Sequence, residues 1–527
     1  MIRARRAGRL WTALTVAILA AALTQTPDGT ASTANATATG VPVVPEWTMA
    51  GQNQANTRYN ATETVISPAN AGRLAPRWVA TLGGNVAATP TVSLGTVFVP
   101  DYGGKLNALD AITGAVRWQK NISDYSGVTG DVSRTSPAVY GPELIFGDGV
   151  STGPLTGARV MAADRTNGAR LWSTVVDTDP LAMVTTSPVV DGTTVYVGVA
   201  SHAEFGDYDD VTFRGSVVAL NAVTGAVLWK RYLAPDGYTG NSVWGSNFVI
   251  DHVTGNLFVT TGNNYTVPDG VCTQPNQQDC AAAPEDNYTD AVVALNPLTG
   301  AVNWSFKTLT ADVGDTDDCD ICGPDYDFGS SPNLFTVYTG GRFRSILGIG
   351  QKSGIYWALD PATGKEIWHT VVGPGSDLGG MEWGSATDGR RIYVGVGNYD
   401  HESYDIVGAD GRKSTIDGGS WAALDAATGQ KLWQVTDPYG TIDVSFLSAA
   451  NGVVYSGGVK GDQDTMFALD ASDGQILWRY HSGGAVIGGA AITGGTVFWG
   501  SGYWFGLCDD GTYDCAQNNK LYAFSPR

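Results

Sequence analysis

Six cysteines stand in three close pairs, Cys272 with Cys280, Cys319 with Cys322 and Cys508 with Cys515. Thiols so spaced bind a metal, hold a haem or close small loops as disulfides. Cys319-Asp320-Ile321-Cys322 has the spacing of a haem attachment, but Gly323 follows where that site needs histidine. Five histidines and no second close C-x-x-C leave a structural zinc short of ligands. Loop-closing disulfides are the remaining reading, provided the chain is exported. Asp312, Asp315, Asp317, Asp318 and Asp320 offer oxygen atoms in one stretch, without EF-hand spacing. They read as a solvated loop or a cation site. Trp499, Tyr503 and Trp504 offer aromatic faces, either for carbohydrate or cell-wall recognition or for packing on the C-terminal loop.

Such groups are positioned by a repeat. Its form is A-L-D/N-x-x-T/S/N-G-x-x-x-W, first seen as ALDAITGAVRW at Ala108–Trp118. A variant, AADRTNGARLW, ends at Trp172, and further copies end at Trp229, Trp304, Trp368, Trp433 and Trp478, making seven. In each, Asp or Asn opens a turn through its side chain and Gly takes the positive-φ position. The next strand carries the Trp inward, to fill space between adjacent sheets. β-runs such as Gly95–Val99 and Thr194–Gly198 precede most copies. Strand pairs recurring every 45 to 75 residues describe propeller blades. Pro76-Arg77-Trp78-Val79-Ala80 looks like a Trp strand without its turn, and Lys520-Leu521-Tyr522-Ala523-Phe524 like an A-L-D strand without its Trp. Together they make an eighth blade, so the predicted fold is an all-β, eight-bladed propeller closed by its two ends.

Composition agrees. Charged residues are 16% of the chain, with 69 Gly and 16 Trp, as expected of many strands and tight turns. The net charge of -20 argues against a nucleic-acid partner, which needs a basic stripe. Arg3, Arg5, Arg6 and Arg9 precede the apolar run 10–23, and an A-x-A site follows at Ala34-Asn35-Ala36. That order predicts a secretory signal peptide over 1–36, with an uncleaved anchor as the alternative. Residues 37–527 are then a single propeller domain with no membrane span, in a secreted or extracytoplasmic location.

The repeat, its Trp spacing and the eight-fold count resemble the quinoprotein (PQQ-dependent) alcohol dehydrogenases over nearly all of residues 37–527. Arg134-Thr135-Ser136-Pro137 and the lack of a haem motif look most like the secreted polyvinyl-alcohol dehydrogenase-like members. The resemblance implies a site. Glu204 in Ala200-Ser201-His202-Ala203-Glu204 and Asn263 in Thr260-Thr261-Gly262-Asn263 match calcium (Ca2+) ligands. Asp327 in Asp325-Tyr326-Asp327-Phe328-Gly329 matches the catalytic base and third ligand. These oxygen donors suit calcium. Lanthanide-using relatives carry an Asp two residues after the base, where Gly329 stands here, although Asp325 lies two before it. Trp244 matches the indole under PQQ, Lys352 the cation on the quinone oxygens and Arg134 a carboxylate-binding arginine. Thr185 and Ser201 are further polar contacts. Taken singly, Trp244 reads as core, Glu204 as a solvated turn residue, Asn263 as a turn former and Asp327 as part of an acidic loop.

The implied reaction is oxidation of an alcohol, secondary or polymeric such as polyvinyl alcohol, to a ketone or aldehyde. Asp327 takes the hydroxyl proton and PQQ takes the hydride. With no C-x-x-C-H in the chain, electrons leave to an external acceptor such as a c-type cytochrome. The paired adjacent cysteines of methanol-dehydrogenase relatives are missing, and glycine-rich 147–153 takes their place, implying a more open cleft. Two alternatives stand beside this: oxidation of a small hydroxylated metabolite, and a non-catalytic scaffold like the BamB-type propellers that share the repeat.

Overall fold

In a computed structural model, the described residues are 46–149, 153–205, 211–245, 247–271, 284–314, 323–503 and 516–527. The leader and all six cysteines fall outside them, as does Trp504.

The chain folds as eight four-stranded antiparallel sheets arranged as propeller blades. Numbered in chain order, blades 1 to 7 span residues 91–121, 138–177, 189–232, 249–307, 333–371, 386–436 and 448–480. Blade 8 takes three strands from residues 491–526 and its outermost from Leu74–Thr81, which pairs with Lys520–Pro526. The ring therefore closes through both ends of the propeller, as the sequence predicts.

Each repeat makes the turn between the third and fourth strands of a blade. The Trp that ends it docks on the turn of the following blade. Trp118 Nε1 donates to Arg165 O (3.0 Å), Trp172 to Ala222 O (3.0 Å), Trp304 to Pro361 O (3.2 Å) and Trp478 to Leu74 O (2.8 Å). The rings lie on the turn glycines: a Cβ on Gly364, at φ +69°, would stand 2.5 Å from Trp304. The hydrophobic clusters correspondingly straddle neighbouring blades, as with Val249, Phe258 and Val292 of blade 4 against Leu347, Ile349 and Leu359 of blade 5.

The segment 47–60 is a strap that runs across the inner strands and touches every blade. Backbone bonds join it to Val92, Val139, Ile250, Leu334, Thr387 and Ala449, one in each of blades 1, 2, 4, 5, 6 and 7. Gln54 Nε2 reaches Val190 O in blade 3 (2.8 Å) and Asn60 Nδ2 reaches Ile492 O in blade 8 (2.7 Å). Fully buried Arg58 bolts it down through Leu447 O (2.6 Å), Ala50 O (3.1 Å) and the Phe446 ring (4.5 Å). Burial lowers its pKa to about 9.

One expectation is overturned here. Trp499 is fully buried with its Nε1 on Gly488 O (2.6 Å), and Tyr503 is buried beside Trp383 and Ile487. They are packing residues and offer no face to a carbohydrate.

Candidate active site

In antiparallel blades, the loops joining second to third strands and those joining one blade to the next emerge at one end of the ring. All the sequence-predicted site residues lie on such loops or at strand ends beside them, so topology gathers them before any side chain is considered.

Asp327 sits at the centre. Its loop enters blade 5 and is pinned by Phe328 N to Thr261 O (3.2 Å) and by Lys352 N to Asp327 O (3.0 Å). The carboxylate is 1% exposed. Oδ1 accepts from Asn263 N (2.8 Å), and Oδ2 accepts from Trp244 Nε1 (2.7 Å) and lies 3.4 Å from Lys352 Nζ. Small neighbours make this possible: a Cβ on Gly262 would stand 2.8 Å from both Asp327 oxygens, and one on Gly329 would stand 2.7 Å from Trp244. Four of the predicted residues, Asp327, Asn263, Trp244 and Lys352, therefore meet.

Lys352 bonds Asp325 Oδ2 at 2.6 Å and stands 5.3 Å from the Trp244 ring centre. Burial opposes its charge, yet Asp325, Asp327 and Glu382 together hold the ammonium well above its usual range. Glu382 is pushed up to about 7 by burial, with Lys352 working against that rise. Beside it, Trp383 meets Trp244 edge-on at 5.4 Å. Its carbonyl accepts from Ser331 Oγ (2.9 Å), and Ser330–Ser331 pairs with Trp383–Gly384, joining its loop to that of Asp327.

The remaining candidates sit apart from Asp327. Thr185 Oγ1 donates to Trp244 O (2.8 Å), fixing the indole's backbone. Arg134 stacks on Trp383, 4.7 Å from its ring centre. Arg134, Thr185, Trp244 and Trp383 line an axial cleft. Ser201 Oγ accepts from Ala203 N (3.0 Å) and so opens the single turn His202–Phe205 that carries Glu204. The Glu204 side chain falls outside the described residues. Asn263 Nδ2 is taken by Gly314 O (2.6 Å), which leaves its Oδ1 as a ligand atom.

Several residues here escaped the sequence reading. Asp325 pairs with the lysine, and Glu382 and Trp383 border the indole. Trp383-Gly384, like Trp244-Gly245, precedes the inner strand of a blade, and that shared dipeptide was the signal available. Asp312, read from sequence as part of a solvated loop or a cation site, is fully buried, as is Asp290 beside it. Burial, then the charges of Asp312, Asp327 and Asp325, push Asp290 well above the usual carboxylate range.

The donor set fits a hard divalent cation: the Asp327 carboxylate and the Asn263 amide oxygen are both oxygen ligands. Among the described residues no group of three or more acidic, histidine or cysteine side chains is placed to hold a metal ion, and the Glu204 side chain lies outside them. The indole of Trp244, with an ammonium above it, fits a planar anionic ring system.

Two family models match the chain. That of outer membrane protein assembly factor BamB covers residues 61–209 and 417–525, and that of the glucose/ethanol/alcohol dehydrogenase β-propeller domain covers 182–377. Polyvinylalcohol dehydrogenases of Pseudomonas sp and Sphingopyxis sp. (strain 113P3) are 28% and 29% identical to it, over 84% and 83% of this chain and 68% and 67% of theirs. Quinohemoprotein alcohol dehydrogenase ADH IIB of Pseudomonas putida is 25% identical over 84% of this chain and 70% of its own. The crystal structure of quinohemoprotein alcohol dehydrogenase from Comamonas testosteroni superposes with a TM-score of 0.70 at 18% identity, covering 91% of this chain and 80% of that one; this likeness shows the fold. The dehydrogenase model falls on the segment that holds Trp244, Asn263, Asp327 and Lys352. Fold, matched segment and relatives point the same way: the chain is similar to the quinoprotein (PQQ-dependent) alcohol dehydrogenases.

Proposed function

We propose that this protein is an exported dehydrogenase that oxidises an alcohol at Asp327, with PQQ on Trp244 and a calcium ion held by Asp327, Asn263 and Glu204. The observation that carries this reading is the buried Asp327 carboxylate, met at once by Asn263 N, Trp244 Nε1 and Lys352 Nζ. PQQ held on Trp244 would supply a two-electron acceptor for hydride, and a cation held by Asp327 and Asn263 would supply a Lewis acid. Asp327 accepts the hydroxyl proton. Lys352 holds its charge toward the quinone oxygens. Arg134, whose guanidinium stacks on an aromatic ring, pairs with a carboxylate of the cofactor. Thr185 keeps the indole in place, and Ser201 sets the turn of Glu204. The relatives named polyvinylalcohol dehydrogenase favour a secondary or polymeric alcohol over a small hydroxylated metabolite. Electrons pass to an external acceptor such as a c-type cytochrome.

A scaffold role has one observation in its favour, the BamB model over both flanks of the ring. It gives no use for a lysine buried against two aspartates at the mouth. The test is reconstitution with PQQ and calcium, followed by dye reduction across polyvinyl alcohol, secondary alcohols and small polyols. Activity that falls by about 10^3 or more in Asp327→Ala supports the assignment. Dye reduction unchanged in that variant removes Asp327 from the mechanism, and absence of PQQ binding favours the scaffold.

A further inference from the structure

Behind the candidate base, one buried residue joins, by its side chain on one side and its carbonyl on the other, the loops of Asp327 and Asn263. Asp312 is 0% exposed. Its Oδ2 accepts from Tyr326 N at 2.9 Å and its Oδ1 from Asp325 N at 3.3 Å. Its own carbonyl accepts from Asn264 N at 3.0 Å. A single residue therefore grips the backbone just before Asp327 and the backbone just after Asn263.

The Asn263 side of the clasp is itself rigid. Asn264 Nδ2 donates to Asn241 Oδ1 (2.6 Å), Asn287 Nδ2 donates to Asn264 Oδ1 (2.7 Å), and Asn241 N donates to Asn263 O (2.6 Å). All three asparagines are buried. Against this fixed block, the Asp325-Tyr326-Asp327 turn is oriented by the two oxygens of Asp312. A backbone N–H pair facing one carboxylate is a strong, directional arrangement. It turns Asp325 toward Lys352 and presents both Asp327 oxygens to Asn263 N and Trp244 Nε1.

We propose that Asp312 is a positioning residue for the cation and for the base, holding Asp327 and Asn263 in register. The proposal rests on the reading of Asp327 as base and ligand. Groups that orient ligands commonly matter by about 10- to 100-fold in metal affinity or activity.

Asp312→Asn keeps the shape but replaces one acceptor oxygen with a donor, so one of the two backbone N–H groups loses its partner. Asp437 provides a matched control. It is also buried, accepts from Tyr439 N (2.7 Å) and Thr441 N (3.2 Å), and lies between blades 6 and 7, away from Asp327. Calcium titration calorimetry of the full chain, steady-state dye reduction of the PQQ- and calcium-loaded protein, thermal melting, and amide hydrogen exchange over residues 323–330 would be compared for wild type, Asp312→Asn and Asp437→Asn. The expected result is a loss of about 10-fold or more in calcium affinity and in kcat for Asp312→Asn alone, with alcohol KM within about threefold. Exchange protection at Asp325–Asp327 should fall in the same variant and stay as in wild type in Asp437→Asn, whose two N–H groups share one oxygen that the amide keeps. Equal calcium affinity and kcat in the two variants, or unchanged protection at Asp325–Asp327, overturns the proposal. If wild type itself neither binds calcium nor reduces dye while the exchange effect is present, Asp312 orders that turn but the dehydrogenase reading fails, and the positioning role fails with it.

Discussion

Asp443 is 1% exposed and neither of its carboxylate oxygens has a hydrogen-bond partner among the described residues. Burial, followed by the charge of Asp437, pushes its pKa well above the usual carboxylate range, and burial takes Asp437 to about 6. The folded protein thus holds protons that the unfolded chain releases near pH 4. Stability contributed by these groups is present at acid pH and is lost as pH rises through their folded values. Asp443→Asn should therefore be more stable than wild type by about 1–2 kcal/mol at pH 8 and no different near pH 4, as measured by urea midpoints. A constant difference across pH would place the effect in packing. At this scale, Asp327, Asn263, Trp244 and Lys352 were nominated through the family resemblance of their motifs, since residue by residue the sequence offered bland readings, and the structure brings the four together. Asp325 and Asp312 were not so nominated. An aspartate that clasps N–H groups 13 and 14 residues downstream leaves no local pattern, and in an Asp-rich stretch nothing in composition singles out Asp312.

At the scale of elements, the seams between blades depend on Trp rings lying flat on turn glycines. Gly364→Ala puts a methyl 2.5 Å from the Trp304 ring at a φ of +69°, so strain and overpacking combine. A loss of about 2–4 kcal/mol is expected in chemical denaturation. The indole bonds are not uniform. Trp304 Nε1 reaches Pro361 O, whereas Trp368 Nε1 is buried without a partner. Trp304→Phe should then cost about 1 kcal/mol more than Trp368→Phe, and equal costs would assign the whole effect to ring packing. The repeat made the blade turns legible because turn chemistry and Trp spacing recur in every copy. The strap was invisible, since it is irregular chain without period. Gln52, Asn56 and Arg58 take left-handed backbone angles there, and its order comes from the eight partners that surround it.

Over the whole molecule, closure by Leu74–Thr81 against Lys520–Pro526 and the strap across the inner strands work on the same ring. Arg58 ties the strap to the blades on either side of that closure, reaching Leu447 O just before blade 7 and Thr89 Oγ1 just before blade 1. Arg58→Met leaves those acceptors unpaired and should lower the melting temperature with a loss of about 3 kcal/mol or more. A melt that stays single and cooperative would show that the blades still unfold together.

The strap has one more consequence. The strap bonds the first strands of the blades near their first turns, at the end of the ring opposite the loops that carry Asp327 and Trp244, so the loop end is the expected doorway. Under the proposed function, alcohol, carbonyl product and electron carrier would then take turns at it. Initial velocities measured against alcohol at several acceptor concentrations should then plot as parallel lines. Lines that cross would mean that visitors have a second way in.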